Sequence, residues 1–341
     1  MPNTITLAKN FTNLLDEVYQ NASVTADLTG DASMCRAGAN VNEISYPQIE
    51  TSGLGDYDRN SGYAGGTVSL EWRTTKFNYD RGTKISVDTM DNEETYNLAF
   101  GMAGSTLIRT KVAPEADAFT FATLAGTPGI GAATPATYSD ASDFLTALLA
   151  AKNKMDEDEV PAEGRILYAT PTLLNSVMAL DTTKSKEALH AFSVVKSVPQ
   201  TRFYTAIDML DGKSTGEELG HYKKAAAKYV KAAEGDSGAK KVVADSASPS
   251  ANEIKMSAVT PCAKGYTPKA GDYVVQTEGK ELNFMIVHKP AIIKFDKHIA
   301  NDVISPANNP DSDAYILKYR KYGLVDVYRN KVAGIYISHK A

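Results

Sequence analysis

The feature that most restricts this fold is a long glycine-rich stretch between two segments of alternating polarity. Residues 43–49 alternate and predict a strand, with Pro47 placing it at a sheet edge. Residues 67–73 alternate around Val68, Leu70 and Trp72 and predict the return strand. The connection, residues 51–66, holds five glycines, although two residues would close a hairpin. Because isolated hairpins are marginally stable and such long tips are usually functional, we expect this hairpin to rest on another subunit. The alternative is a mobile surface loop.

The first forty residues have the character of an arm. Phe11, Leu14, Leu15 and Val18 recur at helical spacing and predict one short amphipathic helix. Residues 25–40 are polar and rich in glycine, alanine and aspartate. An arm of this kind gains little by folding on itself, so we expect it to become ordered on a neighbouring subunit.

The middle of the chain predicts alternating strands and helices. A strand at 84–89 precedes a long helix over 91–125, with Asp91 and Glu94 forming a capping box. Pro114 should kink or split that helix. A linker at 126–137 leads to a second helix over 139–155, whose inward residues we predict to be Phe144, Leu145, Leu148 and Leu149. A buried strand at 165–169 precedes a helix capped by Thr170, with Leu173, Leu174, Val177 and Met178 facing the core.

The composition changes at residue 212. Residues 212–280 contain no arginine and are dominated by alanine and lysine. They predict an inserted subdomain with a helix at 216–233 and short strands at 240–244, 254–259 and 273–276; the alternative is a disordered loop. The last sixty residues predict strands at 284–287 and 314–322 and a hairpin formed by 324–328 and 332–337. Distant strands must pair, so the fold class is α+β with non-local sheets.

Charge and composition limit the classes of function. The net charge of −5 and pI near 5.6 do not favour a protein that grips nucleic acid, which usually has a basic face. A container for DNA must enclose the polymer without adhering to it, and an acidic subunit suits that. We expect no membrane span and no secretory signal. The two cysteines, Cys35 and Cys262, indicate no disulfide framework.

We identify no catalytic, cofactor-binding or metal-binding constellation, and we expect no enzyme activity. The motif Gly235-Asp236-Ser237-Gly238 copies a serine-protease loop but lacks the histidine and all-β context of those enzymes. His288 and His298 lack metal-ligand spacing. Residues 311–313 resemble the start of a calcium loop without its glycine and closing glutamate.

The order of these segments resembles the Hong Kong 97-type major capsid protein of tailed phages. The resemblance covers nearly the whole chain except residues 212–280. It is carried by Ile5-Thr6-Leu7-Ala8-Lys9, by Val87-Asp88-Thr89-Met90-Asp91-Asn92-Glu93-Glu94-Thr95, and by Ile108-Arg109-Thr110-Lys111-Val112-Ala113-Pro114-Glu115. It is also carried by Val198-Pro199-Gln200-Thr201-Arg202-Phe203-Tyr204 and Lys331-Val332-Ala333-Gly334-Ile335-Tyr336.

The resemblance implies a domain organisation. It implies an N-terminal arm (1–40), an extended hairpin called the E-loop (41–90), a peripheral domain (91–161 and 301–341) with a spine helix (91–125), an axial domain (162–211 and 281–300) and the insert (212–280). The protein would be a virion component, made in the bacterial host cytoplasm. Its partners would be copies of itself, a portal and a separate scaffolding protein, while a decoration protein is left open. The tip at 51–66 has no lysine, so we expect a shell without covalent cross-links through the tip.

The candidate functional residues are those expected at subunit contacts. Rigid aromatic side chains dominate interface energetics, which selects Tyr46, Tyr63 and Trp72. We expect Arg59 and Arg73 to pair with Glu93 or Glu94 of a neighbour. Core packing or solvent exposure remains the alternative for each. Two other functions stay open: an encapsulin-type nanocompartment shell with the same fold, and a phage tail or surface adhesin component.

Overall fold

The computed structural model of this protein describes residues 22–30, 36–37, 42–57, 59–60, 62–63, 65–94, 98–180, 182–214, 217–235, 238–259 and 266–341. The predicted helix around Phe11, Leu14, Leu15 and Val18 lies outside the described residues.

The strands of the described residues belong to five sheets. In chain order they are β1 (Arg36–Ala37), β2 (Glu43–Thr51), β3 (Val68–Lys76), β4 (Tyr79–Asp88), β5 (Gly131–Ala132), β6 (Arg165–Ala169), β7 (Val194–Ser197), β8 (Ile207–Met209), β9 (Tyr222–Lys224), β10 (Lys228–Ala232), β11 (Lys240–Val243), β12 (Glu253–Lys255), β13 (Tyr273–Thr277), β14 (Leu282–His288), β15 (Ile292–Ile304), β16 (Ala314–Val327) and β17 (Ile335–His339).

The helices lie mainly in the first half of the described chain. They are α1 (Thr89–Glu94), α2 (Leu98–Leu107), α3 (Ala113–Ala125), α4 (Ala141–Glu157), α5 (Pro171–Ala179) and α6 (Thr183–His190), with a π-helical turn at Ile108–Val112 between α2 and α3. Short 3-10 turns occur at Ala26–Leu28, Gln200–Arg202, Met256–Ala258, Lys289–Ala291, Pro306–Asn308 and Arg329–Gly334.

A five-stranded sheet in the order β5-β17-β14-β6-β7 forms the centre of the molecule. Every residue of β6 and β14 is buried, because helices cover both faces of the sheet. On one face, Phe121 and Leu124 of α3 pack against the sheet. On the other, α4 and α5 contribute Phe144, Leu148, Leu174 and Val177. The predicted strands at 165–169 and 284–287 are therefore confirmed.

Two helical residues predicted to face the core lie outside it. Leu149 of α4 is 39% exposed and Met178 of α5 is 57% exposed. Each is one position past a fully covered residue, Leu148 and Val177. The stripe that faces the sheet is therefore narrower than the sequence pattern indicates.

A three-stranded antiparallel sheet in the order β15-β16-β4 carries the hairpin. Its long strand β15 is not predicted from the sequence, because Lys294, Asp296 and Lys297 interrupt the apolar pattern. The predicted hairpin over 324–337 is wrong. Residues 324–327 end β16 in this sheet, whereas β17 pairs with β14 in the central sheet. The 3-10 turn Arg329–Gly334 carries the chain from one sheet to the other.

Pro114 changes the long helix as predicted, through a π-helical turn. The backbone N–H of Ala113 donates to the Ile108 carbonyl, five residues back. Proline lacks the N–H that would bond the Thr110 carbonyl in an α-helix, and its ring would clash there, so the wider turn accommodates it. The predicted capping box at Asp91 is wrong, since the helix begins at Thr89 and Asp88 accepts the N–H of Met90 at 2.9 Å.

The predicted helix at 216–233 is also wrong, because this part of the insert forms β9 and β10. The predicted strands are confirmed as β11, β12 and β13, apart from 256–258, which form a 3-10 turn. The four-stranded sheet β10-β13-β11-β12 has its own apolar cluster of Val242, Ile254, Val259 and Val274. The alanine and lysine residues around β10 favour a helix, but pairing with β13 makes this segment a strand.

Candidate assembly surface

The base of the hairpin is fixed to the chain's own core. Ile44 and Tyr46 of β2 are buried against Ile293 and Leu324. The ring of Tyr46 meets that of Tyr328 edge-on, with the centroids 5.0 Å apart. Tyr46 is only 4% exposed, which favours the alternative of core packing over a subunit contact for this residue. At the base, the face of β2 that carries Tyr46 is covered by the sheet β15-β16-β4.

Beyond the base, the opposite face of the hairpin is apolar and open to solvent. Pro47 faces Trp72, Ile49 faces Leu70 and Thr51 faces Val68 in the antiparallel register. Directly paired residues share one face of a sheet, so these side chains form a continuous stripe. Ile49, Leu70 and Val68 are 61%, 55% and 73% exposed, and Trp72 is 43% exposed. We call Pro47, Ile49, Val68, Leu70 and Trp72 the outer face.

The tip extends this apolar surface. Leu54, Tyr57 and Tyr63 are all exposed. The rings of Tyr57 and Tyr63 meet at an interplanar angle of 61°, with centroids 4.9 Å apart. The two arms of the tip are joined where the hydroxyl of Ser52 accepts the N–H of Thr67 at 2.9 Å. Monomeric proteins rarely expose contiguous apolar surface of this kind, which usually marks an interaction site.

The charged candidates lie apart from one another within one subunit. Arg59 is exposed at the tip, and Glu93 and Glu94 are exposed on α1. Arg73 forms an ion pair with Glu71 of its own strand at 2.8 Å. Among the ion pairs of the described residues, none joins Arg59 or Arg73 to Glu93 or Glu94. The structure therefore leaves their pairing across subunits as a prediction.

Ile49, Leu54, Val68 and Leu70 are missing from the sequence-based candidates. Alternation places Val68, Leu70 and Trp72 on one face of the return strand. The pattern cannot say which face is covered, because that depends on where Ile293 and Leu324, more than 200 residues away, meet the base. From the sequence, Trp72 was therefore the one residue of the stripe that could be chosen as a candidate contact, because it is aromatic.

Other chemistry is not assembled in the part of the chain that the structure describes. No group of three histidine, cysteine, aspartate or glutamate side chains is placed to hold a metal ion in these residues. Every helix in the same ranges is too short or too polar to cross a membrane. Asp236 and Ser237 of the protease-like motif lie outside the described residues.

A cavity of ≈ 230 Å³ opens between β4, the π-helical turn and Leu219 of the insert. Its wall contains Arg81, which donates to both carboxylate oxygens of Glu115 at 2.8 and 3.1 Å. The hydrogen bonds to Glu115 raise the pKa of Arg81. This largely buried pair ties β4 to α3 and holds the strand that carries the hairpin.

Comparison with known proteins identifies the fold. No family model and no curated protein sequence matches the chain. The capsid of the cyanophage P-SCSP1u matches with a TM-score of 0.51 at 12% identity, over 94% of this chain and 88% of that chain. The chain has the fold of a phage capsid protein.

Two further solved structures are similar. The virus-like particle from Pyrococcus furiosus matches with a TM-score of 0.50 at 7% identity, over 98% of this chain and 100% of that chain. Mycobacterium phage Che8 matches with a TM-score of 0.49 at 15% identity, over 93% and 90% of the two chains. At these identities the similarity concerns the fold. The similarity to the capsid fold spans nearly all of this chain, including the exposed hairpin.

Proposed function

We propose that this protein is the major capsid protein of a tailed bacteriophage, which assembles as hexamers and pentamers into an icosahedral shell around phage DNA. The observation that carries the proposal is the outer face, an apolar stripe on a strand pair whose base is locked to its own subunit. The capsid fold supports it. A monomer would leave this stripe in water, whereas a neighbouring copy would bury it.

In this proposal the hairpin is the E-loop of a Hong Kong 97-type subunit. The domain division that the resemblance implies is part of the same proposal, with 91–125 as the spine and the insert projecting from the axial domain. Subunits associate with closed symmetry, so the same outer face is used by every copy. Each contact can be weak, because many contacts close one shell. A net charge of −5 lets the shell enclose DNA without binding it tightly.

Ion pairs between subunits would then fix how neighbouring subunits align, and would add less to the affinity of the contact. Arg59 is exposed and available to Glu93 or Glu94 of a neighbour. Arg73 would have to exchange its ion pair with Glu71 for such a contact, so Arg59 is the stronger candidate. Portal, scaffolding and decoration proteins would be the further partners of the assembled shell.

A second candidate is the shell of a protein nanocompartment. It is favoured by the similarity to the Pyrococcus furiosus virus-like particle, which covers both chains almost completely. The two functions share the assembly surface and differ in what the shell encloses. Genes for a portal and a terminase beside this one would decide for the phage, and a cargo enzyme gene would decide for the compartment.

Substituting Leu70→Asp tests the assembly surface. A carboxylate in the middle of the outer face must be desolvated when a neighbour covers it, which costs several kcal/mol unless it is paired. We expect no closed particles by electron microscopy and a monomer or small oligomer by sedimentation. The free energy of unfolding of the subunit should change by less than about 0.5 kcal/mol, because Leu70 is exposed there.

Ser69→Asp is the matched control. Ser69 is the adjacent, exposed residue of the same strand and lies on the other face. It adds the same charge, opposite Glu50 of the paired strand, which destabilises the hairpin by at most about 1 kcal/mol, so particles should still form. Normal particles from Leu70→Asp, or equal loss in both variants, would contradict assembly through the outer face.

A further inference from the structure

The N-terminal segment 22–30 enters the body of the protein through a buried carboxylate. Asp117 of α3 is fully buried. Its Oδ1 accepts the hydroxyls of Ser23 and Thr25, both at 2.7 Å, and the N–H of Thr25 at 3.1 Å. Its Oδ2 accepts the N–H of Val24 at 3.0 Å and an N–H of Arg202 at 3.1 Å. Three consecutive residues of the segment therefore donate to one carboxylate.

The same threonine also holds a buried cation. Lys294 of β15 is only 4% exposed, and its Nζ donates to the carbonyl and the hydroxyl oxygen of Thr25, both at 2.8 Å. Among the described residues, Asp117 has its ion pair with Arg202 and none with Lys294. The Thr25 hydroxyl donates to Asp117 and accepts from Lys294. It thus separates a carboxylate and an ammonium that are at most about 5.5 Å apart.

We propose that Thr25 is a removable wedge in a buried Asp117–Lys294 ion pair, and that residues 22–25 form a latch which can leave without unfolding the body. Withdrawing most segments from buried charges would strand those charges, at a cost of several kcal/mol. Here the two charges can close on each other once the hydroxyl has left. Unlatching would exchange the four donors of the segment on Asp117 for Lys294, while the contact with Arg202 is kept, so each buried charge retains a counter-charge in both states.

The far end of the segment stays attached in both states. Leu28 is fully buried in the main apolar cluster, and the N–H of Gly30 donates to the Lys294 carbonyl at 3.1 Å. Residues 22–25 are held by polar contacts, including Lys196 Nζ to the Val24 carbonyl at 3.0 Å, and by the partly buried side chains of Ala22 and Val24. The 3-10 turn Ala26–Leu28 is therefore the hinge. This device does not depend on the shell-forming role.

Thr25→Ala tests the wedge, with Thr25→Ser as its control, because the two differ by the hydroxyl alone. The readout is the titration midpoint of Lys294, followed by NMR of labelled lysine side chains. If the wedge is removed, the carboxylate contacts the ammonium directly and favours its charged form. The midpoint should then rise by about one pH unit, a tenfold gain in proton affinity, and remain at the wild-type value in Thr25→Ser.

If Thr25 has only a structural role, the titration midpoint of Lys294 should not rise in Thr25→Ala. Without wedge closure, Lys294 would lose an acceptor and its midpoint would fall or stay unchanged in Thr25→Ala, which overturns the proposal. The charged groups that also act on Lys294 are Asp296 of its own strand and, from neighbouring elements, Lys321 of β16, Asp117 of α3 and Lys196 of β7. None of them is changed in these variants.

Hydrogen exchange of the wild-type protein keeps the proposal testable if Thr25→Ala fails to fold. The amides of Val24 and Thr25 should exchange through a local opening, at a rate that low denaturant concentrations do not change. The amide of Gly30 should be at least tenfold slower. Exchange of all three amides only through global unfolding would overturn the latch.

Discussion

At the residue scale, burial separates two tyrosines that the sequence places in one class. Tyr46 is packed in the core at the base of the hairpin, and Tyr63 is 90% exposed at the tip. We predict that Tyr46→Ala lowers the free energy of unfolding of dissociated subunits by about 3 kcal/mol, since it removes a buried ring and leaves a cavity. Tyr63→Ala should change it by less than about 0.5 kcal/mol. Denaturant unfolding measures both, and similar losses would place Tyr46 outside the core.

Lys294 gives the protein a definite pH dependence. Burial lowers its pKa from the ordinary 10.5 to about 8. Between these values the unfolded chain binds a proton that the native protein has released, so stability contributed by this residue rises with pH. The gain cannot exceed about 1.4 kcal/mol per pH unit.

The measurement compares Leu70→Asp with Leu70→Asp/Lys294→Met by denaturant unfolding at pH 7.5, 8.5 and 9.5. The first substitution is intended to keep the subunits apart. We predict that the stability of the lysine-containing protein rises relative to the methionine variant over this range. The range ends below pH 10 because burial raises the pKa of Tyr168, whose contribution changes in the opposite direction above that pH. A constant or falling difference would show that Lys294 titrates normally.

At the scale of elements, the chain enters and leaves the four-stranded sheet of the insert at adjacent points. The N–H of Gly279 donates to the Ala225 carbonyl at 2.9 Å at these two points. The sheet between them has its own apolar cluster. We predict that replacing residues 227–277 with two glycines leaves a body that unfolds cooperatively, within about 5 °C of the full chain. Circular dichroism during heating measures this, and loss of the cooperative transition would show that the body needs the insert.

The sequence predicts those elements whose structure is decided by residues close together in the chain. The hairpin, the buried strands at 165–169 and 284–287 and the effect of Pro114 were predictable, because alternation, apolar runs and a missing N–H act locally. The helix at 216–233 was wrong because alanine and lysine favour helices, whereas strand pairing with β13 decides the outcome. Strand β15 could not be predicted because its lysines at 294 and 297 resemble surface positions, although Lys294 is buried and donates to Thr25.

The outer face was likewise predictable only in the features that local sequence determines. Sequence alternation predicts the strands that carry the outer face, and aromatic content selects Trp72. It cannot separate Tyr46 from Trp72, because the covering residues belong to β15 and β16. Charge pairing of Arg59 with Glu93 or Glu94 stays a prediction, since those groups would meet only between subunits.

At the scale of the whole molecule, a capsid fold and an uncovered apolar hairpin lead to one account. The body has a core of its own, with helices on both faces of the central sheet. In the residues that the structure describes, the base of the hairpin packs against that body and the outer face beyond it is exposed. We propose that a second copy of the chain covers the stripe.

Electron cryo-microscopy of the purified protein at high concentration tests this claim most directly. The account predicts closed particles in which each hairpin lies across a neighbouring subunit, with Leu70 and Trp72 buried at the contact. Monomers whose outer face remains in solvent, or particles in which another surface forms the contacts and the hairpin stays uncovered, would contradict it.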